Sequence, residues 1–136
     1  MAFHRIRRFN TADTYPEQHL ANDLAQAVVA EGTVYLRGQI GQDLDTRENV
    51  GVGDVEAQAE KAMANIAMLL EEAGSSLDDV VRTRIYVTDA AFIDDVGRAH
   101  GEAFARARPA TTGIVTQLLD PRWLVEIEAE AVILPS

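Results

Sequence analysis

The stretch Pro109-Ala-Thr-Thr-Gly-Ile-Val-Thr-Gln-Leu-Leu-Asp-Pro-Arg-Trp-Leu-Val-Glu-Ile-Glu-Ala-Glu-Ala-Val-Ile133 carries the clearest pattern in the chain. In its second half Val125, Ile127, Ala129, Ala131 and Ile133 alternate with Glu126, Glu128 and Glu130. A period of two sorts these residues onto the two faces of a strand. The half before it, 110–117, is short and β-branched, and 118–123, with Asp120-Pro121 inside, reads as the connection between two strands. The two strands are expected to pair, setting a row of carboxylates beside Thr111 and Thr112. Any chemistry is expected near that pair.

Working outward, 80–87 reads as a strand whose apolar positions Val81, Thr83, Ile85 and Val87 alternate with Arg82, Arg84 and Tyr86. Residues 93–107 follow as a helix with Val96, Ala99, Ala103 and Phe104 as its buried stripe, ended by Arg108-Pro109, because proline holds the preceding residue extended. Upstream, Asp54 is an N-cap, and Ala59, Ala62, Met63, Ile66, Leu70 and Ala73 recur at helical spacing until Gly74. Segments 25–30 and 33–40 flank Glu31-Gly32 and predict a hairpin. In its second strand Val34, Leu36, Gly38 and Ile40 oppose Thr33, Tyr35, Arg37 and Gln39, so Arg37 is expected on the polar face beside a glycine that leaves space. Residues 4–9 form a first strand, and 10–22, where Tyr15-Pro16 interrupts any helix, is a loop or lid.

This order gives two β-to-α-to-β crossings feeding one sheet. It predicts a two-layer α/β sandwich, in the α+β class, of the ferredoxin-like or chorismate-mutase-like kind. The sheet face left uncovered by helices carries Tyr35, Arg37, Arg82, Arg84, Tyr86, Glu126, Glu128 and Glu130, a mixture that suits a subunit interface and predicts a closed homo-oligomer.

The 136 residues fit one domain, 1–136. Twenty-two acidic against 12 basic residues give a net charge of -10, which disfavours nucleic acid as a partner and ribonuclease chemistry with it. The basic cluster His4-Arg5-Ile6-Arg7-Arg8 reads first as a solvated strand end, with anion binding as the minor reading. Zero cysteines exclude thiolate nucleophiles, disulfides and thiolate metal sites. The N-terminal run Met1-Ala-Phe-His-Arg5 has no apolar signal core, and no apolar run approaches the roughly 18 residues of a membrane span. The expectation is a cytoplasmic protein with no membrane partner. His100 has no second ligand at metal-binding spacing, so no metal is assigned, and Gly51-Val-Gly-Asp54 does not complete a dinucleotide fingerprint.

Taken together, Tyr35-Leu-Arg-Gly-Gln-Ile-Gly41, 57–74, Asp78-Asp-Val-Val-Arg-Thr-Arg-Ile-Tyr-Val-Thr-Asp89, Arg108-Pro-Ala110 and Val125-Glu-Ile-Glu-Ala129 resemble the RidA/YjgF/UK114 family of reactive-intermediate deaminases, across about residues 25–133. The resemblance implies a chorismate-mutase-like fold and a homotrimer with small-carboxylate sites in clefts between subunits. It also implies hydrolysis of enamines and imines to 2-oxo acids and ammonia without metal or organic cofactor. The family's acid corresponds to Glu126. Its carboxylate-gripping arginine, two residues after the proline, is here Thr111, a departure. A pocket tyrosine corresponds to Leu24, a pocket asparagine falls near Gly97, and the serine before Gly38 is replaced by Arg37.

Arg37 therefore has two readings, a relocated carboxylate anchor or an ion-pair partner of Glu126, Glu128 or Glu130 across the sheet. Glu126 likewise is either a base that holds water or a structural partner of Arg82 or Arg84. Thr111, Thr112 and Gly113 offer hydroxyl and backbone donors to a small anion, or are simply strand residues. Two functions follow: cofactor-independent imine or enamine hydrolysis with Glu126 and Arg37 in the site, or a non-enzymatic trimer that binds a small metabolite.

Overall fold

Val125, Ile127, Ala129 and Ala131, each at most 2% exposed, make one face of strand β6 (Val125–Val132) fully apolar. Such a face has to be covered along its whole length, and β6 accordingly lies inside the sheet. The computed structural model describes residues 3–135; Met1 and Ala2, which open the N-terminal run read above, and Ser136 lie outside the described residues. The remaining strands are β1 (His4–Asn10), β2 (Asp23–Ala30), β3 (Thr33–Leu36), β4 (Val80–Val87) and β5 (Ala110–Val115). Their order in the mixed sheet is β1-β2-β3-β6-β4-β5.

The expected pairing of the two C-terminal strands does not form. After β5 the chain returns through 116–124, and β6 inserts between β3 and β4, antiparallel to both, while β5 runs parallel to β4 at the sheet edge. Burial accounts for the difference: every residue of β5 is exposed, as suits an edge, and the apolar face of β6 is buried. The two predicted crossings are present. β3 leads through helix α2 (Val55–Glu72) to β4, and β4 through helix α3 (Ile93–Ala103) to β5. The architecture is thus the two-layer α+β sandwich.

Helix α2 has defined ends. Asp54 accepts a hydrogen bond from the Ala57 N–H at 3.1 Å, and Gly74, at φ +85°, closes a Schellman turn in which Ser75 N–H reaches Leu70 C=O at 2.8 Å. Its face of Ala59, Ala62, Met63, Ile66, Leu69 and Leu70 packs in one core with Val96 of α3, with Phe104 just after that helix, and with the sheet. Helix α3 ends at Ala103 rather than continuing to 107; the chain leaves it through Arg108, at φ +50°, ahead of Pro109. Glu31 and Gly32 both have positive φ, as a two-residue type I′ hairpin requires.

Two further expectations are corrected. The second hairpin strand stops at Leu36, because the pairing slips by one residue: Tyr35 faces Glu130, but Gln39 bridges Ile127. The alternation read through residue 40 breaks there, which buries Gln39 and leaves its Nε2 to donate to Gln26 Oε1 at 2.9 Å. The segment 10–22 is also not a free loop. It holds a short helix α1 (Thr11–Thr14) and a turn over Pro16–Gln18, and it buries Tyr15 against Ile40 and Trp123 in a second apolar cluster.

Candidate functional site

Glu126 lies on the sheet face away from the helices, in register with Tyr86 of β4. Its carboxylate occupies the space that the missing side chain of Gly38 leaves: a Cβ there would lie 2.2 Å from Oε2 and 2.7 Å from Cδ. Gly38 can take this position because the slip after β3 redirects the chain. Among the described residues no hydrogen bond or ion pair reaches the Glu126 carboxylate. Burial pushes its pKa up; the guanidinium of Arg37 pulls it down, and the neighbouring Glu128 carboxylate adds to the rise. A half-buried carboxylate with no partner is free to hold a water or a ligand proton.

Gly38→Ala is expected to push the Glu126 side chain aside, since a methyl group cannot share 2.2 Å with an oxygen. The fold should persist and any ligand affinity at Glu126 should fall by about tenfold or more. Calorimetric titration beside a melting curve separates the two effects.

Arg37, directly before this glycine, does not pair with a glutamate. Its Nη1 donates to the Tyr15 hydroxyl at 3.4 Å, and its guanidinium carbon stands 5.0 Å from the Phe9 ring centroid and 5.5 Å from that of Tyr15. Tyr15 OH in turn donates to Gln42 Oε1 at 3.1 Å. The ion-pair reading of Arg37 is therefore replaced by an aromatic cradle, built from β1 and the 10–22 segment, which holds a cation beside an acid and leaves it charge to spare.

The other acidic residues of the face are engaged. Glu128 accepts from the Tyr86 hydroxyl, and Glu130 pairs with Arg84 at 3.4 Å. Arg84 is thereby engaged away from Glu126, and Arg82, in register with Glu130, makes no ion pair among the described residues. Among the described residues Glu126 and Arg37 are left as a carboxylate and a cation without an ion pair.

The remaining expected site residues divide by position. Leu24, 43% exposed, pairs with Phe9 across β1 and β2 and lines an open groove of about 570 Å³ with Arg5, Arg8 and Val28. Through Phe9 it belongs with Arg37. Thr112 shares a row with Arg84 and Glu128 on the uncovered face. Thr111, by contrast, sits in the row of buried Thr83, on the helix side of the sheet, and its hydroxyl is 2.7 Å from that of Thr83. Gly97, on α3, is exposed with nothing within 4 Å of an added Cβ. One chain therefore brings together Glu126, Gly38, Arg37 and Leu24, and sets Thr111 and Gly97 apart on the other side of β4 and β5.

Phe9 and Tyr15 were not anticipated. The only signal for them was a pair of aromatic residues in and beside a polar segment. The hydrogen bond between Thr83 Oγ1 and His100 Nε2, 2.8 Å, was likewise unforeseen; His100 is buried, at 8% exposure.

This fold, a six-stranded mixed sheet backed by helices, has known counterparts. The family described as Endoribonuclease L-PSP matches residues 16–133. A RutC family protein of Pyrococcus abyssi is 34% identical over 107 residues, covering 79% of this chain and 84% of that protein. A member of the YjgF/YER057c/UK114 family from Mycobacterium tuberculosis superposes with a TM-score of 0.76 at 33% identity, covering 96% of this chain and 99% of that one. RidA from an Antarctic Psychrobacter gives 0.74 at 33% identity over 81% and 88%. The chain belongs to the RidA/YjgF/UK114 family. No helix among the described residues is long and apolar enough to cross a membrane.

Proposed function

We propose that the 1–136 chain acts as one domain of a closed homotrimer and hydrolyses small imines or enamines that carry a carboxylate. The observation that carries this reading is the unpartnered, partly buried carboxylate of Glu126 beside an unpaired, aromatic-cradled guanidinium. Arg37 receives the substrate carboxylate through charge-assisted hydrogen bonds. Glu126 holds a water and takes its proton as the oxygen attacks the C=N carbon; that proton passes to nitrogen, the remaining hydroxyl proton follows it as the C–N bond breaks and the C=O forms, and ammonia and the oxo acid leave. An enamine first gains a proton at carbon. No redox partner or cofactor enters that balance.

The exposed β5 edge supports assembly, and a second copy would bring its Thr111 and Gly97 side to the Glu126 side of the first. A cysteine-free sequence suits the reducing cytoplasm, where amino-acid metabolism generates such imines.

The test generates imines in place with an amino-acid oxidase, traps the survivors with semicarbazide, and titrates in the protein. Trapped product should fall, and the fall should vanish with Glu126→Gln. No fall across several imines, with a saturable carboxylate-induced rise in melting temperature, would replace this reading with the non-enzymatic binding one. Arg37→Ala should weaken binding of 2-oxobutanoate by about 10–100-fold, as for loss of a hydrogen-bonded charge. Unchanged affinity in calorimetry would remove Arg37 from the site.

A further inference from the structure

The basic run at the start of the chain divides on folding. Arg7, at φ +53°, spends its guanidinium on Glu72 and Asp45, at 2.9 Å each. Arg8 is exposed, and its side chain makes no hydrogen bond or ion pair among the described residues. Both line a cavity of about 280 Å³ where β1 and α1 meet the connection that follows β3, together with Thr14 and Arg47. We infer that this cavity binds a phosphoryl group, free or at the end of a small metabolite.

The ligand class follows from which hydrogen-bonding groups of the wall are still open. The acceptor side chains are engaged. Gln26 Oε1 accepts from Gln39 at 2.9 Å, and Gln42 Oε1 accepts from the Tyr15 hydroxyl at 3.1 Å. Asp43 takes the N–H groups of Asp45 and Thr46 on one oxygen, at 2.9 Å each, and pairs through the other with Lys61 at 3.3 Å. The donors, by contrast, are open. Arg8 keeps its whole fork, and the Arg47 side chain makes a single hydrogen bond, from Nη1 to the Asp13 carbonyl at 3.2 Å. Thr14 Oγ1 is buried without a partner among the described residues, and a buried hydroxyl left unsatisfied is costly. Charge agrees with this inventory. Arg7 is offset by Glu72 and Asp45, and Asp43 by Lys61, which leaves Arg8 and Arg47 uncompensated in a chain whose net charge is -10. Open donors without open acceptors take an anion.

A phosphoryl group suits the wall better than a carboxylate does. A carboxylate has two oxygens and a phosphoryl group three, so only the second gives Arg8, Arg47 and Thr14 an acceptor each. The planar fork of arginine matches those oxygens. At ~30 Å³ per water the cavity has room for several waters, more than a bare ion needs, and Phe9 and Leu44 supply apolar wall for a short carbon chain. Glu126, Gly38 and Arg37 do not line it, so the inference does not rest on imine hydrolysis.

The test titrates the full chain with inorganic phosphate, glycerol phosphate and acetate in calorimetry at fixed ionic strength, with melting curves alongside. A phosphate probe should bind saturably, at least about tenfold more tightly than acetate. Tighter binding of glycerol phosphate than of inorganic phosphate would assign the cavity to a metabolite, and the reverse to the free ion. Arg8→Gln and Arg47→Gln, both at exposed positions, should each weaken binding by about 10–100-fold, as for a hydrogen bond to a charged group. Thr14→Val should weaken it by about three- to tenfold and yet melt no lower than wild type without ligand, because it removes the unpaired hydroxyl. A purely structural threonine would show the opposite pair of effects. No saturable heat and no rise in melting temperature with either phosphate probe, acetate binding as tightly as phosphate, or binding unmoved by both arginine variants would overturn the inference. Loss of phosphate binding in Glu126→Gln would do the same, by placing the anion at the other site, whereas unchanged binding there keeps this cavity separate from the hydrolytic reading.

Discussion

Glu126→Gln is expected to reduce imine turnover by about 10²–10⁴-fold while making the protein harder to melt. Both effects come from one cause. Burial raises the pKa of Glu126 above its ordinary 4.5, so the folded state holds this proton more tightly than the unfolded chain does. Its contribution to stability is fully present below the unfolded value and is lost as pH rises through the folded one. Near neutrality the ionised carboxylate therefore weakens the fold. Glutamine keeps the shape beside Gly38, removes the charge and cannot take a proton from water. The melting temperature should rise at neutral pH by roughly 2–8 °C for each kcal/mol relieved, and the advantage should disappear below the ordinary glutamate range. Wild-type turnover should lose its acidic limb above that ordinary value, since the base must be ionised. A variant that melts as wild type at both pH values would show that Glu126 is not strained, and one that turns over imines normally would show that it is not catalytic.

Gln58→Leu is expected to be the most destabilising single change, by about 3–6 kcal/mol. Gln58, 2% exposed on α2, donates from Nε2 to the carbonyls of Gly51 at 3.1 Å and Arg122 at 3.0 Å, and accepts the Leu124 N–H at 2.9 Å. Three backbone groups from two separate connections meet on one amide. Leucine has nearly the same volume, so the loss is of polar satisfaction and not of packing: the buried ends of three part-buried hydrogen bonds go, at about 1–2 kcal/mol each. Against a total stability of about 5–15 kcal/mol this removes a large part of the margin. Urea unfolding should show an earlier midpoint with an unchanged slope. A shift under 1 kcal/mol would mean that water replaces the amide.

The sequence patterns carried the faces of the elements well and their neighbours less well. The alternation in 125–132 told which side chains of β6 are buried, because that depends on the period of the pleat alone. It could not tell that β4, and not β5, lies beside β6, because adjacency depends on how 116–124 returns across the sheet. The acid was legible for the same reason as the strand. Its surroundings were not: the slip at Gly38 is a property of two strands together, and the cradle of Arg37 comes from Phe9 and Tyr15, more than 20 residues earlier in the chain. His100 and Thr83 stand 17 residues apart, and no periodicity links a helix residue to a strand residue across a layer.

Trp123 is the chain's single tryptophan, 5% exposed, edge-on to Tyr15 at 5.9 Å, with its indole N–H donating to Asn49 Oδ1 at 3.2 Å. Tyr15 is also the residue that steadies Arg37. The molecule thus contains an intrinsic fluorophore one aromatic ring removed from its cation. Excitation of the indole reads out the state of the segment over 10–22 without a label: a ligand that draws the guanidinium away from Tyr15 changes the emission before any product forms, and stopped-flow recording of that signal separates arrival from chemistry.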